Sequence, residues 1–155
     1  MKQLKHIIQE KLKINAKSKV VEYNYNYYPK NYTELDKLVS KLIKERGNNA
    51  NLNDIDTSKI TNMNYLFQNS KFNGDISEWD VSHVESMKSM FFNSKFNGNI
   101  SEWDVSNVEN MEYMFDGSEF NGDISKWDVS NVKDMEGMFD NCPLEKNPPQ
   151  WYPAK

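Results

Sequence analysis

Three stretches of this chain share one ordering of apolar and polar positions, each offset from the last by 24 residues. Phe72-Asn73-Gly74 returns as Phe96-Asn97-Gly98 and Phe120-Asn121-Gly122. Trp79-Asp80-Val81-Ser82 returns as Trp103-Asp104-Val105-Ser106 and Trp127-Asp128-Val129-Ser130. Met-x-x-Met-Phe follows at 87–91, 111–115 and 135–139. A weaker copy comes earlier, with Ile55-Asp56-Thr57-Ser58 in the tryptophan slot and Ile60, Met63, Leu66 and Phe67 in register. At the other end Leu144 takes the phenylalanine slot and Trp151 the tryptophan slot, and Pro148, Pro149 and Pro153 stop the pattern. About four rungs with atypical ends suit a repeat array, whose terminal units must close the core.

Each rung predicts two short elements. Asn-Gly ahead of the next polar residue is a turn signal, because glycine tolerates positive φ. Ile76-Ser77-Glu78-Trp79 predicts a short strand with Ile and Trp as its strand formers. Ser82-x-x-Glu85 and Ser106-x-x-Glu109 have the form of capping boxes, while Lys133 breaks the third. Val84, Met87, Met90 and Phe91 then recur at the spacing of one helix face. Asn93-Ser94 or Gly117-Ser118 ends that helix. A unit so small cannot bury its own apolar face, so the rungs must stack.

Residues 1–50 do not repeat. Leu4, Ile7, Ile8 and Leu12 predict an amphipathic helix. Val20 to Tyr28 alternates Tyr with Asn and predicts a strand that Pro29 ends. Thr33-x-x-Asp36 predicts the start of a second helix carrying Leu35, Leu38, Val39, Leu42 and Ile43, with Gly47 closing it. The fold expected is therefore α/β: a solenoid of about four 24-residue strand–helix rungs over 51–155, behind an α-β-α cap at 1–50. The cap would cover the first strand, otherwise a bare edge.

Composition narrows the function. Hydrophobic residues are 37% of the chain, and aromatics are abundant, which fits a narrow core built on Phe, Tyr, Trp and Met. Residues 1–50 carry eleven Lys/Arg against five Asp/Glu, and residues 51–155 eight against eighteen. The acidic array disfavours nucleic acid, whose affinity comes from phosphate contacts, and favours a protein with a basic surface. Solubility alone is the plainer account of the same charge. Cys142 is the single cysteine, so neither an internal disulfide nor a cysteine-rich zinc site is available. The N-terminus lacks the apolar stretch of a signal peptide, and no run approaches the ~20 apolar residues that span a bilayer. These signs place the chain in the cytoplasm, as a monomer that does not insert into membranes.

The run Phe-Asn-Gly, Ile-Ser-Glu-Trp-Asp-Val-Ser, Met-x-x-Met-Phe resembles the repeat of BspA-like leucine-rich-repeat surface proteins, also found in bacterial lipoproteins. The segment LNDIDTSKITNMNYLF at 52–67 looks like that family's first repeat. The resemblance covers residues 52–142. It implies a right-handed leucine-rich-repeat-like solenoid with a parallel sheet on one side, and roles in attachment and protein recognition at a cell surface. It carries no catalytic residues. The surface location would apply to a processed or truncated product, since no lipid-attachment cysteine lies near the start.

The tryptophans at 79, 103, 127 and 151 are either a core stack or an exposed ladder for sugars. The aspartates at 80, 104 and 128 accept backbone amides or hold calcium; the first reading leaves no metal and no cofactor. His83 stands where other rungs carry Asn107 and Asn131, and His6 has no partner motif. Cys142 fills the slot of Ser70, Ser94 and Ser118 and reads as a packed residue. No phosphate loop, triad order or metal spacing is present, so an enzyme is not expected. The expected function is protein–protein interaction through Ser77, Glu78, Ser101, Glu102, Ser125 and Lys126. Tyr23, Tyr25 and Tyr27 form an alternative binding face, since tyrosine is favoured at binding sites. A carbohydrate-binding adhesin and an intracellular, phage-encoded inhibitor or effector are the alternatives.

Overall fold

The computed structural model describes residues 24–153. The expected helix around Leu4–Leu12 and the segment Val20–Tyr23, with Tyr23 and His6, lie outside the described residues. Among the described residues the regular elements are one α-helix, α1 (Tyr32–Arg46), and one turn of 3-10 helix at Pro143–Glu145.

Local chemistry explains α1. Asn31, in extended backbone, is the N-cap, and its side-chain oxygen accepts the Glu34 N–H. Glu34 in turn accepts the Lys30 N–H, a reciprocal arrangement like a capping box. The cap therefore sits two residues ahead of the expected Thr33. Lys44 and Arg46 lie in the last turn, where cations face the negative end of the helix dipole. Gly47 ends the helix as expected, at φ 92 with its N–H returned to the Ile43 carbonyl. Leu35, Val39 and Leu42 are buried on one face and belong to the same apolar cluster as the repeats.

The repeats depart from expectation. The α/β architecture of strand–helix rungs, a right-handed parallel-sheet solenoid, is not what the described residues build. They contain no strand and no sheet, and residues 24 apart pair only through isolated parallel bridges: Asn51 with Asp75, Asn62 with Ser86, Ser86 with Asn110, Asn110 with Asp134. The expected strand at Ile76–Trp79 is a turn. The Trp79 N–H returns to the Ile76 carbonyl, and the Asp75 carboxylate takes the Ser77 N–H. The equivalents at 100–103 and 124–127 close in the same way. The strand of the expected α-β-α cap is corrected likewise where it is described: within 24–28, pairing is the single bridge of Tyr27 with Ile55.

The expected repeat helices are also replaced by turns, and the backbone shows why. Left-handed φ recurs at Tyr65, Ser89, Tyr113 and Gly137 (62, 51, 52, 60) and four residues later at Asn69, Asn93, Gly117 and Asn141 (55, 50, 66, 55). An L-residue in that region costs ~1–2 kcal/mol, and no α-helix runs through it. The return is in hydrogen bonds. The N–H groups of Met63, Tyr65, Phe67 and Asn69 reach the carbonyls of Ser86, Lys88, Met90 and Phe92 in the next rung, at 2.8–3.0 Å. Those of Leu66, Gln68 and Ser70 fold back on Met63, Tyr65 and Phe67. The same division recurs from 87–93 to 110–116 and from 111–117 to 134–140. The capping boxes are lost with the helices: Glu85 gives its N–H to Thr61, and its carbonyl receives Glu109 and Asn110.

Aromatic columns fill the interior. Phe67, Phe91, Phe115 and Phe139 stack with centroids 5.5, 5.5 and 5.9 Å apart, and Phe72, Phe96 and Phe120 stack beside them at 6.2 and 6.3 Å. Within a rung the two columns touch, as in Phe91 on Phe96 at 4.4 Å. Trp79, Trp103 and Trp127 are buried, and each indole N–H donates to a carbonyl of the preceding rung, at Leu52, Ile76 and Ile100. Trp151 repeats this bond to Ile124 and stacks on Trp127 at 6.4 Å, so the last slot closes the stack as its sequence position predicts.

Candidate functional site

The outer surface of segment 75–85 and its copies carries the predicted contact residues. Each rung is pinned there by short side-chain turns. Asp75, Asn99 and Asp123 accept the N–H of Ser77, Ser101 and Ser125 at 2.9–3.0 Å. Asp80, Asp104 and Asp128 accept the N–H of Ser82, Ser106 and Ser130 at 3.0–3.1 Å. Asx side chains bonding two residues on are a standard way to hold a turn. The signal in the sequence is Asp-x-Ser twice per rung, with Asn99-Ile100-Ser101 as its asparagine form in the middle rung. The aspartates accept backbone amides as expected, though at turns and not at helix starts.

These bonds set the electrostatics. For Asp123 and Asp128 the neighbouring serine hydroxyl and N–H hold the carboxyl below the ordinary carboxylate value. Burial pushes Asp75 up, but bonds from Ser77 outweigh it and the net shift is downward. All three remain charged at neutral pH. Among the described residues no group of three His, Cys, Asp or Glu side chains is placed to hold a metal ion.

The six predicted residues divide into two kinds. Ser77, Ser101 and Ser125 serve the turns, and the Ser77 hydroxyl is bonded to Asp75 at 2.7 Å. Glu78, Glu102 and Lys126 are exposed, one above another at successive rungs. Exposed Asp104, Asp123 and Asp128 flank them and were not among the predicted contacts. The other columns are tied across rungs by Lys88–Glu112, Lys95–Glu119 and Glu109–Lys133.

The Tyr face is only partly brought together. Tyr27 is half-buried, its ring 5.7 Å below the Arg46 guanidinium. Arg46 also grips Asp54 through both nitrogens at 2.9 and 3.0 Å, and Asn26 bonds the same carboxylate. Asp54 is held below its usual range chiefly by Arg46, and Arg46 is raised by the same bond. Tyr27 thus belongs to the joint between α1 and the first rung. Tyr25 packs edge-on against Tyr28, which is exposed. The buried tryptophans present no ladder to solvent. Cys142 is buried and burial pushes its thiol up, which suits packing and not nucleophilic attack. His83 is exposed, with its ring 3.1 Å from the Ser82 hydroxyl. No helix among the described residues is long and apolar enough to cross a membrane.

Stacked turn-built rungs with a charged outer face define a repeat protein. The family model described as "Mycoplasma protein of unknown function, DUF285" matches residues 33–151, and the chain belongs to that family. No curated protein and no solved structure matches it.

Proposed function

We propose that the chain is a non-enzymatic recognition module of the BspA-like surface-repeat kind, which binds a protein through the outer face of segments 75–85, 99–109 and 123–133. The observation that carries the reading is the exposed row of Glu78, Glu102, Asp104, Asp123 and Asp128. On this face the tryptophans at 79, 103 and 127 are buried in the core, which leaves polar groups to make contact. A partner with a basic surface matches this face, and complementary charge acts mainly on encounter rate and specificity. The repetition supports the reading as well: rungs held in register display side chains at fixed intervals, the surface repeat proteins use for extended contacts.

The test is a pull-down from lysate with the whole chain, run beside Glu78→Lys/Glu102→Lys. A partner captured by the parent, released by added salt and lost by the variant supports the reading. Equal capture by both proteins would sink it. Both residues are exposed, so the variant should fold as the parent does.

A further inference from the structure

The chain holds three Asn-Gly steps in equivalent slots: Asn73-Gly74, Asn97-Gly98 and Asn121-Gly122. All three asparagines are exposed, so they share local sequence and solvent access. They differ in what holds the side chain. The Asn73 side-chain oxygen accepts the Asn97 N–H, and the Asn97 side-chain oxygen accepts the Asn121 N–H, both at 2.8 Å. The series then ends. The next position is Glu145, and its N–H goes to the Cys142 carbonyl at 3.0 Å. Among the described residues no donor replaces it on the Asn121 side chain.

The glycines show the same gradient. A Cβ built on Gly74 would lie 2.0 Å from the Ala50 carbonyl oxygen, and one on Gly98 would lie 3.1 Å from the Gly74 oxygen. At Gly122 the three nearest atoms, out to 3.6 Å, all belong to the Phe120 ring. A carbonyl of the preceding rung is therefore among the nearest atoms at the first two steps and not at the third, while the phenylalanine ring two residues back stands 2.6–2.9 Å away at all three.

We infer that Asn121 is a built-in modification site, the position at which the folded chain undergoes spontaneous deamidation. The Gly122 nitrogen attacks the Asn121 side-chain carbonyl carbon. The bond to the side-chain nitrogen breaks, the amide proton passes to the departing nitrogen, and ammonia leaves a five-membered succinimide. Water opens either carbonyl to give Asp or isoaspartate. For Asn73 and Asn97 this motion must first break the bond that the side-chain oxygen accepts from the next rung. Among the described residues the Asn121 side chain accepts no such bond, although its own N–H is held by Asn97. Each event adds one negative charge to the acidic stack, and the isoaspartate product lengthens the backbone by one carbon at the last full rung.

The experiment is timed incubation of the folded chain in mildly alkaline buffer, then peptide mapping by mass spectrometry. The same incubation in denaturant supplies the intrinsic rates. The three sites should react alike when unfolded. In the folded protein Asn121 should react roughly two- to tenfold faster than Asn73 or Asn97, the scale of one hydrogen bond. Equal folded-state rates at the three sites, or a faster rate at Asn73 or Asn97, would overturn the inference. So would an inert Asn121 in the folded chain when the denatured control reacts.

Discussion

Helix α1 and the repeat segments around Val84–Phe91 share apolar residues at i, i+3 and i+7, yet one is a helix and the other a ribbon of turns. In α1 every local signal agrees. Asn31 caps it, Glu34 lies in the first turn, Arg46 in the last, and Gly47 closes it. In the repeat the local signals conflict. Asn93 and Gly117 favour left-handed backbone, and Ser89 and Tyr113 adopt it as well. A neighbouring rung supplies bonding partners that a lone helix would never meet. A short apolar stripe therefore marks which side chains go inside without saying which backbone carries them there.

The largest expected effect tests the stack. Trp103→Ala removes a buried indole and its bond to the Ile76 carbonyl. It should cost ~3–5 kcal/mol, the usual range for a large core truncation, read by chemical denaturation. Unchanged stability would show that the tryptophan column does not hold the rungs together.

A pair of glycines sharpens the comparison. Gly137 sits at φ 60, and a Cβ there would lie 2.3 Å from the Tyr113 ring. Gly137→Ala therefore adds overpacking to backbone strain and should cost ~2–3 kcal/mol. Gly47, at φ 92, has open space around it. Gly47→Ala meets strain alone, at a ψ of 171 where the backbone region is open essentially to glycine, and should cost ~1–3 kcal/mol. Thermal melts of both variants read the two costs, and an unchanged melt for Gly137→Ala would contradict the close inter-rung packing.

The smallest effect lies at the joint between the two regions. Arg46→Ala removes the grip on Asp54 and the contact over Tyr27. The pair is partly exposed, so ~1 kcal/mol is expected, and less at high salt. Its pH dependence follows from sign. The folded-state pKa of Asp54 is lowered, so its contribution is complete above the unfolded carboxylate value of about 4 and is lost as pH falls through the folded value. Asp75, Asp123 and Asp128 are lowered too. The parent should therefore lose stability in acid, and Arg46→Ala should lose less over the same range. Identical acid profiles would remove the Arg46–Asp54 pair from the account.

Much was legible in the sequence. The 24-residue period, the inward tryptophans and phenylalanines, the packed Cys142 and the closing roles of Gly47 and Trp151 all follow from spacing and residue type. Burial of large apolar side chains overrides most local preferences, so periodic Phe and Trp announce a core whatever the backbone does. The outer face was half legible. Glu78, Glu102 and Lys126 stand exposed, but Ser77 and its copies were spoken for by the Asp-x-Ser turns. What tertiary structure decided was the hydrogen bonding of the backbone. The N–H of Tyr65 has a local partner in a helix and a distant one at Lys88 in the stack. Neither its own residue type nor its neighbours' decides between them. The choice falls to the next rung, because only stacking brings a row of carbonyls close enough to offset two left-handed residues in each rung.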